Sequence, residues 1–350
     1  MALVGQHVLS IDQFKRAQLE SLLEVGAMVE PIAQRKMRCN VLSGAVMANL
    51  FFEASTRTRL SFHTAFARLG GSVSDTTGFT FSSISKGESL RDTARVIAGY
   101  ADAIVMRHPD IGSVAEFARG ILVPIINAGD GAGEHPTQAL LDYYTIYKEF
   151  SRLGKKIDGM SIAMVGDLKH GRTIHSLCKL LQCFENIRFH LVCPDNLRLP
   201  KVLIERLKQA GHRVYEYDNL QQGLAGADVI YATRIQKERF ANPQEEDMSY
   251  GESLRIHRDS VARYGEKEVV IMHPLPRDSR EGAFDLSEDL DELSQLAIFR
   301  QADNGVTMRM ALFACVLGVE NQLTRYLTPN RLFVPTRYSE YDAPFYRFDG

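Results

Sequence analysis

FFEASTRTRLSF, Phe51 to Phe62, reads as a strand end running directly into a helix start. The apolar residues ANLFF (48–52) close a strand, and LSFHTAFARLGG (60–71) carries a helical pattern. Ser55 suits the N-cap position. A helix start presents backbone N–H groups without intrahelical partners, and these favour an anion. Arg57 in the first turn opposes the helix dipole unless an anion sits beside it. The stretch therefore implies a phosphate or carboxylate site made of backbone, hydroxyls and guanidinium together.

Strands and helices alternate outward from this point. A helix is expected over 11–36, with Leu19, Leu22, Leu23, Val25 and Met28 as its apolar stripe. Strand VMANLFFE (46–53), a helix over 57–69, a loop at 74–87 and a helix from Ser89 to Tyr100 follow. Strand AIVMRH (103–108), a helix near 113–119, strand VPIINAG (123–129) and the helix His135–Phe150 complete the first series. The second series runs through strand SIAMVGD (161–167), helix Arg172–Cys183, strand RFHLVCP (188–194), helix 200–210 and strand RVYEYD (213–218). Strands DVIYATR (228–234) and EVVIMHP (268–274) end it. Strands alternating with helices form parallel sheets covered on both faces. The expected fold class is α/β, with two doubly wound parallel-sheet domains and a ligand cleft between them. The expected domains are 1–150 and 151–300. A long helix near 291–326, counted from 301 as a separate segment, is expected to return to the first domain. The tail 327–350 is rich in Pro, Tyr and Phe, and reads either as a wrap around a partner or as a loose terminus.

Composition narrows the function. The 350 residues are 45% hydrophobic and 24% charged, an ordinary globular balance with material for about two domains. A net charge of −2 gives no basic field for nucleic acid, so the arginines that matter act locally. No apolar run reaches about 18 residues, so no membrane span is expected. The start, MALVGQHVLSIDQF, lacks the charged and apolar regions of a signal peptide, and a cytoplasmic location is expected. The five cysteines form no CxxC pair and read as buried thiols. None of the ten histidines has metal-ligand spacing, so no metal is expected. Gly129-Asp130-Gly131-Ala132-Gly133 follows a strand but is not a dinucleotide fingerprint.

Three further stretches stand at strand ends or helix starts. Arg107 closes the apolar strand AIVM, which places a cation at a carboxyl end. In His135-Pro136-Thr137-Gln138, Pro136 fits the first helical position and puts His135 at the N-cap. The dipole there favours neutral imidazole, able to donate a hydrogen bond to a carbonyl. Gln138 lies one turn on. In His273-Pro274-Leu275-Pro276-Arg277 two prolines stiffen the turn and leave the carbonyls of 274–276 to accept bonds. Each stretch alone equally suits a capped helix, a surface arginine or a rigid loop.

Together they carry a family resemblance. FFEASTRTR fits the pattern F-x-[EK]-x-S-x-R-T of the transcarbamoylases, and HPTQ and HPLPR stand at the corresponding separations. The resemblance covers about residues 5–325. The segments Asp167-Leu168-Lys169-His170-Gly171-Arg172-Thr173 and Thr233-Arg234-Ile235-Gln236-Lys237-Glu238-Arg239 resemble those of the aspartate-using members, and SSISKGES (82–89) resembles their mobile loop. A substrate with two carboxylates suits arginine forks. The ornithine-using members carry a cysteine where Pro274 stands here, and a D-x-x-x-S-M-G element that Asp247-Met248-Ser249-Tyr250-Gly251 does not reproduce.

The resemblance implies transfer of the carbamoyl group of carbamoyl phosphate to the α-amine of L-aspartate, an early step of pyrimidine synthesis, with no cofactor. Residues 1–150 would bind carbamoyl phosphate and 151–300 aspartate. Ser55, Thr56, Arg57, Thr58 and Arg107 would hold the phosphate. Thr58, Arg107 and His135 would act on the carbonyl oxygen. Gln138 and the Pro274-Leu275-Pro276 turn would hold the carbamoyl nitrogen. Arg172, Arg234, Gln236 and Lys86 would bind aspartate, with Ser82 and Lys86 supplied by a neighbouring subunit of a homotrimer that shares its sites. Glu53 is expected to pair with Arg172 across the cleft. The other readings are a transcarbamoylase for ornithine or an acylated ornithine, and a non-catalytic paralogue. Regulatory chains or other pathway enzymes are left open as partners.

Overall fold

The structure is a computed structural model that describes residues 3–77, 87–235, 254–278 and 285–335. The chain divides into two units, Met1–Leu141 with Asp303–Thr336, and Asp142–Ala302 with Arg337–Gly350. In chain order the strands of the first unit are β1 (Met37–Cys39), β2 (Val46–Phe51), β3 (Ser72–Thr77), β4 (Ala103–His108) and β5 (Ile125–Asp130). Its helices are α1 (Arg16–Ala33), α2 (Thr56–Arg68), α3 (Leu90–Ala98) and α4 (Ser113–Ala118), and α5 (Pro136–Leu153) begins in it. The second unit holds β6 (Ser161–Val165), β7 (Arg188–Val192), β8 (Arg213–Tyr217), β9 (Val229–Ala232) and β10 (Val270–Met272). Its helices are α6 (Arg172–Leu181), α7 (Lys201–Gln209), α8 (Leu220–Leu224) and α9 (Arg258–Tyr264), and α10 (Ile298–Val316) begins in it.

The first sheet is parallel, in the order β3-β2-β4-β5. Strands β2 and β4 are mostly apolar and almost wholly buried, because neighbours flank them and both faces are covered. β3 overlaps the expected loop, 74–87, over residues 74–77. Its sequence SVSDTT is mostly polar, but it is an edge strand, where polar side chains are tolerated. The second sheet, β10-β9-β6-β7-β8, is also parallel. Ala163, Val165, Ile230, Ile271 and Ile298 belong to one of its core clusters.

The helix expected over 11–36 is shorter. Ile11–Gln13 is a separate 3-10 turn, capped by the Ser10 side chain, and α1 starts only at Arg16. The helix expected over 291–326 is also interrupted. Before it, the Ile271 N–H donates to the Gln295 carbonyl (2.8 Å) and the Ala297 N–H to the Ile271 carbonyl (2.8 Å), which docks this segment on β10. The helix ends where Gly318 adopts φ +69 and the Val319 N–H returns to the Ala314 carbonyl (2.9 Å). In its later half, Phe313 packs edge-on against Phe62 and Phe66 of α2, with ring centroids 6.0 and 4.9 Å apart. Part of the expected tail is regular: β11 (Leu327–Pro329) pairs antiparallel with β1. All five cysteines are thiols, and burial pushes those of Cys193 and Cys315 up to about 12. Among the described residues no single helix is long and apolar enough to cross a membrane.

Candidate active site

The first unit gathers its polar groups at the carboxyl edge of its sheet. Phe51 and Arg107 are neighbours in register, and the Phe52 N–H donates to the Arg107 carbonyl at 2.9 Å. The turn from Phe52 to Ser55 therefore lies beside Arg107. Ser55 takes the N-cap position of α2 with extended backbone (φ −161), but its side chain makes no capping hydrogen bond. The Ser55 hydroxyl is thus not committed to the first turn of the helix. Thr56 and Arg57 are exposed and Thr58 half-buried, so the first turn presents two hydroxyls and a guanidinium.

Arg107 is 7% exposed, and its guanidinium is engaged on two sides. It pairs with the Glu53 carboxylate (2.8 Å) and donates to the Ala128 carbonyl (3.3 Å). These partners fix the plane of the fork. Glu53, expected to pair with Arg172, thus has a partner within its own unit.

His135 is buried and directly precedes α5, whose first residue is Pro136. Its carbonyl accepts from the N–H groups of Gln138 (2.9 Å) and Ala139 (3.3 Å). The approach to it is braced: Glu134 accepts from the Ser10 hydroxyl and the Ile11 N–H, both at 2.9 Å. The glycine-rich run before it is a structural turn. Gly131 sits at φ +52, where a Cβ would lie 2.5 Å from the Pro109 carbonyl oxygen. Beside it, burial holds the His108 imidazole below its ordinary pKa and pushes the Asp130 carboxyl up.

In the second unit, three loops leave neighbouring strands at one carboxyl edge. Val165 pairs with Ala232, so Gly166 and Thr233 start level with each other; Met272 pairs with Tyr231, so His273 stands one residue earlier, level with Ala232. Gly166 adopts φ +117, and a Cβ there would lie 2.2 Å from the Thr233 carbonyl oxygen. Only glycine lets these two loops run so close. Asp167 is wholly buried, and its carboxylate accepts the His170 N–H at 2.9 Å, which curls the chain toward Gly171 and Arg172. Arg172 opens α6 and is 8% exposed. Arg234 follows β9 and is half-buried. Two guanidiniums, one at the helix start after β6 and one just after the adjacent β9, suit a dicarboxylate.

The third loop is the HPLPR turn. His273 is 1% exposed. Its Nδ1 accepts the Leu275 N–H (2.8 Å), so Nε2 carries the proton and donates to Asp285 (2.8 Å). Leu275 adopts φ +58, a left-handed conformation that costs about 1–2 kcal/mol for a residue with a Cβ. The Leu275–Pro276 bond is cis. Arg277 is clamped to Asp291 by two bonds of 2.6 and 3.1 Å.

The structure thus places Glu53, Ser55, Thr56, Arg57, Thr58, Arg107, His135 and Gln138 in the first unit. It places Arg172, Arg234, Pro274, Leu275 and Pro276 in the second. Ser82, Lys86 and Gln236 lie outside the described residues. Sequence reasoning missed Asp285 and Gln301, which hold His273, because no local pattern links positions so far apart. Among the described residues no group of three or more His, Cys, Asp or Glu could hold a metal ion.

Two family models match this chain. Residues 6–148 match the carbamoyl-P binding domain of aspartate/ornithine carbamoyltransferase, and residues 158–316 match its Asp/Orn binding domain. The aspartate carbamoyltransferase catalytic subunit of Dichelobacter nodosus is 67% identical over 347 residues, 99% of each chain. The Trypanosoma cruzi aspartate transcarbamoylase in complex with carbamoyl phosphate and aspartate superposes with a TM-score of 0.81 at 40% identity, covering 90% of this chain and 98% of that one. The same enzyme with N-(phosphonacetyl)-L-aspartic acid gives 0.80 at 39% identity, covering 90% and 96%. The helix-start anion site, the arginine pair and these matches agree, and the chain belongs to the aspartate/ornithine carbamoyltransferase family.

Proposed function

We propose that this protein transfers the carbamoyl group of carbamoyl phosphate to the α-amine of L-aspartate, forming N-carbamoyl-L-aspartate and phosphate. The observation that carries the reading is the start of α2, where Ser55 leaves its capping bond unmade and Arg57 stands in the first turn. Such a start favours a phosphate. Thr56, Thr58 and Arg107 would complete its hydrogen bonds, each worth about 1.5–3 kcal/mol to a charged group.

In this proposal Thr58, Arg107 and His135 donate to the carbonyl oxygen, where negative charge develops during attack. Losing one such donor typically costs about 3–4 kcal/mol. Gln138 and the carbonyls of Pro274 and Leu275 hold the carbamoyl nitrogen. Arg172, Arg234, Gln236 and Lys86 bind the aspartate carboxylates, and Glu53 adds an ion pair to Arg172. The neutral α-amine attacks the carbonyl carbon, the C–O bond to phosphate breaks, and the departing phosphate takes the amine's proton. Much of the rate then comes from holding two small anions in attack geometry.

The proposal extends to a cytoplasmic homotrimer in pyrimidine biosynthesis, in which a neighbouring subunit supplies Ser82 and Lys86. Calorimetric titration tests the ligand pair. N-(phosphonacetyl)-L-aspartate should bind far more tightly than phosphonacetyl-ornithine. Equal affinities, or a preference for the ornithine compound, would overturn the choice of aspartate.

A further inference from the structure

A buried chain of hydrogen bonds runs through the second unit to the HPLPR turn. The Tyr231 hydroxyl of β9 donates to Asp142 Oδ2 at 2.7 Å. Gln301 Nε2, in α10, donates to Asp142 Oδ1 at 2.7 Å, and Gln301 Oε1 accepts the His273 backbone N–H at 2.9 Å. His273 then accepts the Leu275 N–H and donates to Asp285. Asp285 also accepts the N–H groups of Leu286 (2.6 Å) and Asp278 (3.2 Å). Tyr231 and Asp142 are fully buried, and Gln301 and His273 are 1% exposed.

The order of donors and acceptors leaves no slack. Asp142 accepts only, so Gln301 must turn its amide nitrogen toward it and its oxygen toward the His273 N–H. His273 must keep Nδ1 unprotonated to receive Leu275. Burial and the adjacent Asp142 charge raise the Tyr231 phenol well above its ordinary range, which keeps it a donor. The last bond lands on the residue at φ +58, a conformation that a leucine does not hold without outside constraint.

We propose that Asp142 and Gln301 are positioning residues: through His273 they set the Leu275 turn so that its carbonyls can receive the carbamoyl nitrogen. This role rests on the carbamoyl-transfer reading. It predicts an effect confined to ligands that carry an amide nitrogen. Loss of the network should weaken phosphonoacetamide, which has phosphonate, carbonyl and NH2, and should spare inorganic phosphate, whose partners at the α2 start and Arg107 belong to the first unit.

The test compares inhibition constants of these two probes in the full-length enzyme. Gln301→Glu sets a carboxylate against Asp142 and should raise the phosphonoacetamide constant by roughly 3- to 10-fold, the worth of about one neutral hydrogen bond. The phosphate constant should stay within about twofold on the same reasoning. Asp142→Asn added to Gln301→Glu rebuilds the chain: Tyr231 donates to the Asn oxygen, and the Asn NH2 donates to the new carboxylate. This double variant should recover most of the loss. Gln301→Met avoids the charge clash and should show the same selective weakening without rescue by Asp142→Asn. The proposal is overturned if folded Gln301→Met leaves both constants at wild type, if both rise together, or if the folded double variant is no better than Gln301→Glu. A wild-type protein that makes no carbamoyl aspartate would instead overturn the reaction itself.

Discussion

Replacing Gly166 with alanine should separate the two substrates' dependence on the fold. The new Cβ would stand 2.2 Å from the Thr233 carbonyl oxygen, and the backbone angle of +117° is one that alanine rarely adopts. Backbone strain of about 1–3 kcal/mol and steric overlap of similar size give about 2–6 kcal/mol in all. A unit of this size loses about 2–4 °C of Tm per kcal/mol, so a fall of about 4–24 °C is expected. Relief requires the Gly166 and Thr233 loops to part, and these loops lead to Arg172 and Arg234. One charged hydrogen bond lost from the aspartate site corresponds to about a 10- to 100-fold rise in aspartate KM. Inhibition by inorganic phosphate should stay near wild type, because its groups belong to the first unit. Scanning calorimetry and steady-state assays below the lowered Tm give both readings. An unchanged Tm, or equal weakening of phosphate and aspartate, would refute this reasoning.

Arg57→Ala should abolish turnover in a folded protein and weaken phosphate inhibition, whereas Arg234→Ala should raise the KM for aspartate far more than that for carbamoyl phosphate; equal effects would contradict either assignment. Mixing inactive His135→Ala and Lys86→Ala proteins after dissociation should recover part of the activity through hybrid trimers, and no recovery would argue against shared sites. Acid should destabilise the fold. Burial lowers the pKa values of His108, His175, His190 and His212, so the unfolded chain takes up these protons first. Their contribution is complete above about pH 6.5 and is lost as pH falls from there through the lower folded values. Asp130, raised by burial, works in the opposite sense. The urea midpoint should therefore drop between pH 7.5 and 5.5, and a flat profile would be inconsistent with four imidazoles held neutral by their surroundings.

Much of the site was legible because its parts are local patterns. An apolar strand followed by Ser55-Thr56-Arg57 is a strand end and a helix start on any backbone, and His135-Pro136 marks a helix start in the same way. What stayed hidden depends on distant positions or on context. The bond from Gln301 to Asp142 spans 159 residues and leaves no periodic trace. The polar strand β3 is stabilised by pairing along the whole of β2, which its own residues do not reveal. The prolines of the HPLPR turn imply stiffness, but the left-handed Leu275 and the histidine that receives its N–H appear only in three dimensions. The helix expected near 291–326 begins later, because residues 291–297 give no sign in the sequence that they dock on β10.

The central claim is most directly tested by product formation from carbamoyl phosphate and a panel of amines. Purified protein should release phosphate and N-carbamoyl-L-aspartate in equal amounts with L-aspartate, and negligible product with ornithine or N-acetylornithine. Turnover of ornithine above aspartate, or no carbamoyl aspartate at saturating substrates, would contradict the account.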